Sequence, residues 1–168
     1  NRIENIEKFD ESLITEAVTN SWYRAAAPVH PWNGTTDVNL DKQGAYTFIK
    51  APRYKGLLAE VGPLARMLVY GYRPFKELVE KYEMKFGAVT RHLARAQEAL
   101  IVCDAMFKWV EELEALLATG RVNIHDANSW EPPVAGKGAG LTEAPRGALG
   151  HWVQIEDKKV KNYQMVVP

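Results

Sequence analysis

The chain has 168 residues, of which 46% are hydrophobic and 25% charged, a composition that suits one globular domain or a piece of a larger one. Lysine and arginine together number 21, as do aspartate and glutamate, so the basic excess typical of proteins that bind nucleic acid or anionic membranes is missing. No apolar run reaches the roughly 18 residues of a membrane-spanning helix, and no signal peptide opens the chain. Because there is no initiator Met and the chain stops at Val167–Pro168, straight out of an apolar run, we expect a segment of a longer chain.

The N-terminal part is predicted to form a helix, a loop and a strand. The helix runs from Ser12 to about Ala25, because Ser12 can cap it and apolar side chains recur at helical spacing. Asn33–Gly34 is the strongest turn pair of the loop that follows. The stretch "AYTFIK" at 45–50 is aromatic and β-branched enough for a short strand.

Two short helices are predicted next. The first begins at Pro63, where the missing N–H of a proline costs nothing, and it ends at Gly71. The second begins at Pro74 and continues to about Met84.

The longest predicted element is a helix from Ala88 to Ala118, with Gly120 in the place of a C-terminal glycine cap. A stripe of apolar residues at steps of three and four predicts its buried face. The stripe consists of Val89, Leu93, Ala96, Leu100, Cys103, Phe107, Val110, Leu113 and Leu117. We therefore predict that Cys103 is a buried core thiol rather than a reactive site.

The character of the sequence changes at Asn123. The proline- and glycine-rich "EPPVAGKGAG" cannot hold a helix, whereas "ALGHWVQIED" and "KKVKNYQMVVP" predict two strands around a turn at Asp157–Lys158. The predicted fold is mainly α with a small antiparallel β-sheet, an α+β class. The chain is interpreted as one segment, residues 1–168, with a helical part at 12–122 and a loop plus β-hairpin at 123–168.

The residues offer no complete metal site or catalytic site by spacing. There is one cysteine, so neither a disulfide nor a cysteine cage can form within the chain, and the four histidines are scattered. We therefore assign no metal ligand. His151, next to Trp152, is interpreted as a buried hydrogen-bonding histidine, with a proton relay as the alternative.

Arg146 stands out because it lies between Pro145 and Gly147 in a loop with no other positive charge. Pro145 restricts the backbone, Gly147 allows a close approach, and the guanidinium offers five donors that suit an anionic ligand. An ion pair with a carboxylate such as Glu143 is the alternative, and spacing alone favours it. The other Pro–Arg pair, Pro52–Arg53, is also expected in a loop beside a strand.

Four blocks of sequence together resemble the large subunit of nickel–iron hydrogenases. They are "KAPRYKG", "AEVGPLARM", "RHLARAQEA" and "GKGAGLTEAPRGALGHWVQIEDKKVKNYQMVVP", in that order from about Trp22 to the last residue. The final block is the most specific.

The resemblance implies a long-helix bundle of that family's type, incomplete in this segment, and the reversible oxidation of dihydrogen to protons and electrons. It implies a nickel–iron centre with cyanide and carbonyl ligands on iron, held by four cysteines in two Cys-x-x-Cys motifs. It further implies an iron–sulfur small subunit as partner, besides the remaining parts of the large subunit. Both Cys-x-x-Cys motifs are missing here, so the ligating cysteines are expected outside this segment, and the isolated segment is predicted to be inactive.

By the same resemblance, Pro145 and Arg146 line the cavity over the metal centre as catalytic residues. Ala144, Pro145, Arg146 and Gly147 are the positions expected to bind the cofactor. A periplasmic or membrane-associated location is implied. The alternatives are a metal-free, hydrogenase-like scaffold subunit of a respiratory-type complex and a plain helical interaction module.

Overall fold

The computed structural model describes residues 7–25, 27–120 and 131–168. They form two compact units, one of residues 63–120 with 131–132, and one of residues 7–62 (26 excepted) with 133–168. The first unit is helical and the second contains two small antiparallel sheets, which confirms the predicted α+β class. The predicted division at residue 123 lies outside the described residues and stays a prediction. None of the described helices is long and apolar enough to cross a membrane.

The helical unit contains α1 (Pro63–Tyr70), α2 (Arg73–Lys81) and α3 (Ala88–Ala118). Gly71 has a φ of 71° and ends α1 as predicted, while α2 ends before the predicted Met84. The predicted bounds of α3 are confirmed, and Gly120 follows it with a φ of 75°.

The core of this unit lies where α1 and α2 meet the N-terminal half of α3. Its buried residues are Leu64, Met67, Phe75 and Ala94. Beside them, Arg66 on α1 makes a two-pronged ion pair with Glu98 on α3, with Nε–Oε1 and Nη2–Oε2 distances of 2.6 and 2.8 Å. This bidentate ion pair fixes the position of α1 along α3.

The predicted buried face of α3 is wrong. Leu100 and Phe107, expected at its centre, are 62% and 75% exposed, and Cys103 is exposed rather than a core thiol. The covered line begins one position later, at Thr90 and Ala94, and continues through partly covered Gln97, Ile101 and Ala105. The reason is that α3 is apolar on several sides, so periodicity alone could not tell which side α1 and α2 cover.

The other unit begins with a two-stranded sheet of β1 (Ile14–Ala17) and β2 (Ala51–Tyr54). The predicted helix at 12–25 is therefore wrong. A single 3-10 turn, Glu11–Leu13, precedes β1, and a second forms at Pro31–Asn33. Helical spacing of apolar residues at 13–22 was outweighed by pairing with β2, which β-branched side chains in β1 favour.

The predicted strand at 45–50 is also displaced. Thr47 makes only an isolated bridge with Ser21, and the strand is β2, which begins at Ala51, directly after the predicted range. Pro52 and Arg53 lie inside β2, not in a loop. Proline is tolerated there because β2 pairs with one strand only.

Three strands, β3 (Ala135–Ala144), β4 (Gly147–Glu156) and β5 (Lys159–Val166), form the second sheet in that order. The predicted hairpin of β4 and β5 is confirmed, with its turn at Asp157–Lys158. β3 was not predicted, because its glycine-rich sequence has little strand propensity of its own. It pairs with β4 along its whole length.

A lysine organises the long loop between β1 and β2. The ammonium of Lys42 donates to the carbonyl oxygens of Val18, Tyr23 and Ala25 at 2.7, 2.8 and 3.2 Å. Because an ammonium has three donors, all of them are used, and the loop closes around one side chain.

Candidate active site around the Arg146 turn

Pro145 and Arg146 are the two central residues of the tight turn between β3 and β4, whose last pair is Ala144 and Gly147. Proline holds its φ near −65°. Among the described non-glycine residues, a positive φ occurs only at Lys55, Glu83, Asp157 and Lys158, so neither central residue of this turn has one. The turn is therefore neither type I′ nor II′, the two kinds whose twist matches a hairpin.

Glycines pack this turn against the segment just before α1. A Cβ on Gly62 would clash with the carbonyl oxygen of Arg146 and lie 3.2 Å from its carbonyl carbon. A Cβ on Gly147 would lie 2.7 Å from Val61 Cγ2, 2.9 Å from Pro168 Cβ and 3.0 Å from the nitrogen of Gly62. Gly147 is buried while Arg146 beside it is exposed, so the backbone is fixed and the guanidinium projects from it.

Within the described part of the chain, the guanidinium of Arg146 makes no hydrogen bond or ion pair. The alternative of an ion pair with Glu143 is therefore not realised. A cation on a rigid turn with its donors uncommitted can bind an anion or an electron-rich ligand.

Arg53 presents a contrast. Its Nη1 donates to the carbonyl oxygen of Pro52 at 2.7 Å, and the residue is half-buried in β2. One donor of its guanidinium is thus taken up by the backbone of the preceding residue.

The strand that leaves the turn is held by Trp152. This side chain is 1% exposed, and its ring lies across Gly150, where a Cβ would be 2.5 Å from Cζ3. Its indole N–H donates to the carboxylate of Glu11, and His30 meets the ring edge-on with centroids 6.0 Å apart. β4 is thus anchored a few residues from Arg146.

His151 lies on the same strand and is half-buried. Its Nδ1 is 2.6 Å from the hydroxyl of Tyr163 on β5, and the two rings stack. The predicted hydrogen bond is therefore present, but the histidine is not buried as predicted, and the proton relay stays a hypothesis.

A buried polar cluster was not found from the sequence. Glu16 on β1 is 3% exposed, and its Oε2, 3.6 Å from the ammonium of Lys50, has no hydrogen-bond partner among the described residues. Lys50 also donates to Oε1 of buried Gln164 at 2.6 Å. Burial raises the pKa of Glu16, and the charge of Lys50 opposes the rise in part. The inward alternation of Ile14 and Glu16 could have indicated the cluster had β1 been recognised as a strand.

The described residues contain no group of three or more His, Cys, Asp or Glu side chains placed to hold a metal ion. A metal at the Arg146 turn would need ligands from elsewhere.

Comparison with known proteins decides the family. The sequence profile of nickel-dependent hydrogenases matches residues 1–168, the whole chain. The chain belongs to the nickel-dependent hydrogenase family. The resemblance seen in the sequence is confirmed, and a fortuitous helical interaction module is excluded.

Individual members of the hydrogenase family are similar over nearly all of the chain. The uptake hydrogenase large subunit of Bradyrhizobium diazoefficiens is 38% identical over 92% of this chain and 32% of its own length. The periplasmic [NiFeSe] hydrogenase large subunit of Desulfomicrobium baculatum is 40% identical over 95% of this chain and 33% of its own.

The fold agrees as well. A solved [NiFeSe]-hydrogenase from Dm. baculatum superposes with a TM-score of 0.75 at 38% identity, covering 95% of this chain and 35% of that one. This hydrogenase-family chain thus spans about a third of the length of the relatives it matches.

Proposed function

We propose that this chain is part of the large, catalytic subunit of a nickel–iron hydrogenase, which oxidises dihydrogen reversibly to protons and electrons. One observation carries the proposal: an uncommitted guanidinium, Arg146, on a turn whose backbone is fixed by buried glycine contacts. Family membership supports it, because relatives of this chain are hydrogenase large subunits.

The turn fits one wall of a nickel–iron centre with cyanide and carbonyl on iron. Ala144 and Pro145 offer small, mostly apolar surface, Arg146 offers cationic donors, and buried Gly147 lets the turn pack closely behind them. Cyanide is an anionic acceptor, and hydrogen bonds from a charged donor are strong where water is excluded. When bound, the centre supplies the chemistry of dihydrogen cleavage, with its cysteine ligands coming from outside this segment.

The role proposed for Arg146 is to hold a fixed positive charge over the reacting position and to donate to cyanide. A guanidinium keeps its proton at ordinary pH, so it is assigned to polarising dihydrogen and organising a proton acceptor rather than to accepting the proton. Pro145 restricts the backbone on which the side chain stands.

The proposed partners are the remaining parts of the large subunit and an iron–sulfur small subunit that receives the electrons. The exposed apolar side chains of α3 support the first, since Leu100, Phe107 and Leu113 are more than half exposed in this chain. A formal net charge of zero gives no support to nucleic acid as a partner. The location is proposed to be periplasmic or membrane-associated, in line with the periplasmic relative.

Metal analysis separates this proposal from a metal-free scaffold subunit. The full-length parent should contain nickel and iron in about equal amounts in the large subunit. The 168-residue segment, washed with chelator, should hold neither metal in stoichiometric amount and should show no hydrogen uptake, because it lacks the thiolate ligands that such a centre needs. A metal-free parent would favour the scaffold.

The decisive variant is Arg146→Lys in the assembled enzyme. Lysine keeps the charge but loses the planar fork, so it cannot donate to cyanide and also hold a second donor over the reacting position. We expect unchanged folding and metal content and at least about a hundredfold loss of turnover, or ~2.7 kcal/mol of barrier.

Arg53→Lys is the matched control, because Arg53 also follows a proline but its guanidinium donates to the carbonyl oxygen of Pro52. Hydrogen oxidation at equal nickel occupancy should stay within a few-fold of the parent. A near-parental rate for Arg146→Lys together with an inactive Arg53→Lys would show that the assignment belongs to the other Pro–Arg pair.

A further inference from the structure

We propose that Gly62 is a positioning residue for Arg146. Because Gly62 has no side chain and a left-handed backbone, the carbonyl of Arg146 packs directly against it, and this contact determines the position of the guanidinium. The inference rests on the function proposed for Arg146 and adds a second residue, far away in sequence, on which that function depends.

The first argument is the space at residue 62. Gly62 has a φ of 92°, a conformation that side chains disfavour, and the position of its missing Cβ is taken up by the carbonyl group of Arg146. Backbone presses on backbone here, so no side chain can rotate away to relieve an added methyl group. Any residue larger than glycine must displace the turn itself.

The second argument is that the contact is reciprocal. Gly147 packs on Val61 and on the nitrogen of Gly62, just as Gly62 packs on Arg146. Val61–Gly62 thus touches the turn on both sides of the Arg146 peptide unit. Together these contacts fix the position and the tilt of the Cα from which the guanidinium projects.

The third argument is that the sequence of the turn does not by itself favour the backbone conformation that the turn adopts. A two-residue hairpin favours positive φ at its first central residue, and Pro145 cannot adopt it. The contacts from Val61–Gly62 therefore supply geometry that the turn sequence does not. A shift of the turn by a few tenths of an ångström at the backbone becomes larger at the end of an arginine side chain. A misplacement of about 1 Å can lower a rate about a hundredfold.

The test uses the full-length large subunit assembled with its small subunit and compared at equal nickel content. Gly62→Ala is compared with Gly44→Ala, which has a φ of 76° but nothing within 4 Å of its missing Cβ. Both variants carry the cost of a side chain at positive φ, and only the first pushes on Arg146. Two readouts are taken: hydrogen-oxidation kinetics and the infrared stretching bands of the cyanide ligands.

For Gly62→Ala we expect kcat to fall about tenfold or more, corresponding to ~1.4 kcal/mol of barrier, with the cyanide bands shifted. Gly44→Ala should leave both unchanged. Parental kinetics and bands in Gly62→Ala would overturn the inference. So would a lower rate with unshifted bands, since that pattern indicates general damage rather than a moved donor.

Arg146→Lys, measured alongside, separates the two proposals. If it is impaired while Gly62→Ala is parental, the positioning role fails and the function of Arg146 stands. If Arg146→Lys is itself parental in rate and bands, the proposed function fails and the positioning role with it. Should Gly62→Ala not assemble, Val61→Ala decides by the same readouts, because it loosens the contact with Gly147 without adding an atom.

Discussion

The two tight turns of the three-stranded sheet are set by different forces. Asp157 and Lys158 have φ values of 52° and 59°, the type I′ geometry whose twist matches the strands that it joins. The turn of Pro145 and Arg146 has no positive φ at its centre and is packed instead against Val61–Gly62 and Pro168. The first turn has the backbone geometry that a two-residue hairpin favours, and its Lys158 N–H also donates to the carbonyl oxygen of Val134 at 3.2 Å. The second turn lacks that geometry and is packed against residues distant in sequence. Arg146, the residue proposed to act in catalysis, lies in this second turn.

Contacts between distant segments should matter most for stability where an apolar surface awaits a partner. The largest loss of stability is therefore expected on α3, whose apolar surface is exposed in this chain. Leu100 is 62% exposed in this chain, and the remaining parts of the large subunit are proposed to cover it. Once covered, its replacement by alanine leaves a cavity, so Leu100→Ala should cost roughly 2–5 kcal/mol in the assembled protein. Thermal or denaturant unfolding of the complex measures this. Lys108→Ala on the same helix is the control and should stay within about 0.5 kcal/mol. A loss below about 0.5 kcal/mol for Leu100→Ala would mean that this side of α3 faces solvent.

The next effect concerns the Arg146 turn itself. Gly147→Ala forces a Cβ against Val61 and Pro168 at a φ of 153°, so we expect a loss of about 1–3 kcal/mol in the free energy of unfolding. Gly56→Ala, with a φ of 74° and open space around its missing Cβ, separates backbone strain from collision. Equal losses in the two variants would show that the packing around Gly147 contributes little.

A smaller effect is expected at the other turn. Lys158→Gly creates an Asp–Gly pair, the sequence that type I′ turns favour, and relieves a side chain in the left-handed region. Glycine also gains freedom in the unfolded chain, so stability should change by no more than about 0.5 kcal/mol, with unaltered hydrogen oxidation. A loss above about 1 kcal/mol would show that the side chain of Lys158 contributes to stability beyond the geometry of the turn.

The smallest effect is a pH slope from Glu16. Because burial raises its pKa above 4.5, the folded protein binds this proton more tightly than the unfolded chain. Its contribution to stability is therefore greatest below about pH 4.5 and declines as pH rises through the folded-state pKa. Glu16→Gln should remove that decline, as followed by unfolding temperature between about pH 4.5 and 7. Exposed Glu111→Gln should retain it, and an unchanged slope in Glu16→Gln would contradict the assignment.

The same division explains how much of the fold the sequence predicted. The ends of α3 and the Asp157–Lys158 turn were predicted correctly, because caps and turn residues act within a few positions. The covered side of α3 was wrong by one residue, since it depends on where α1 and α2 lie. The helix predicted over Ser12–Ala25 failed for a related reason, because its strand exists only through pairing with β2.

For the candidate site, the sequence predicted the Pro–Arg–Gly turn, and the resemblance supplied its proposed role. The packing of Gly62 on Arg146 could not be predicted, because a glycine does not reveal which backbone will approach it. The buried pair of Glu16 and Lys50 was missed with the strand that positions Glu16. Each miss depends on a contact between segments far apart along the chain.

The lysine that closes the loop between β1 and β2 has a consequence for chemical reactivity. An acylating reagent must reach the amine nitrogen, and the Nζ of Lys42 is enclosed by the three carbonyl oxygens to which it donates. Its acylation should therefore require the loop to open, so that Lys42 is labelled more slowly than an exposed lysine such as Lys108. The labelling rate of this one side chain would then report how often the loop opens locally, independent of global unfolding.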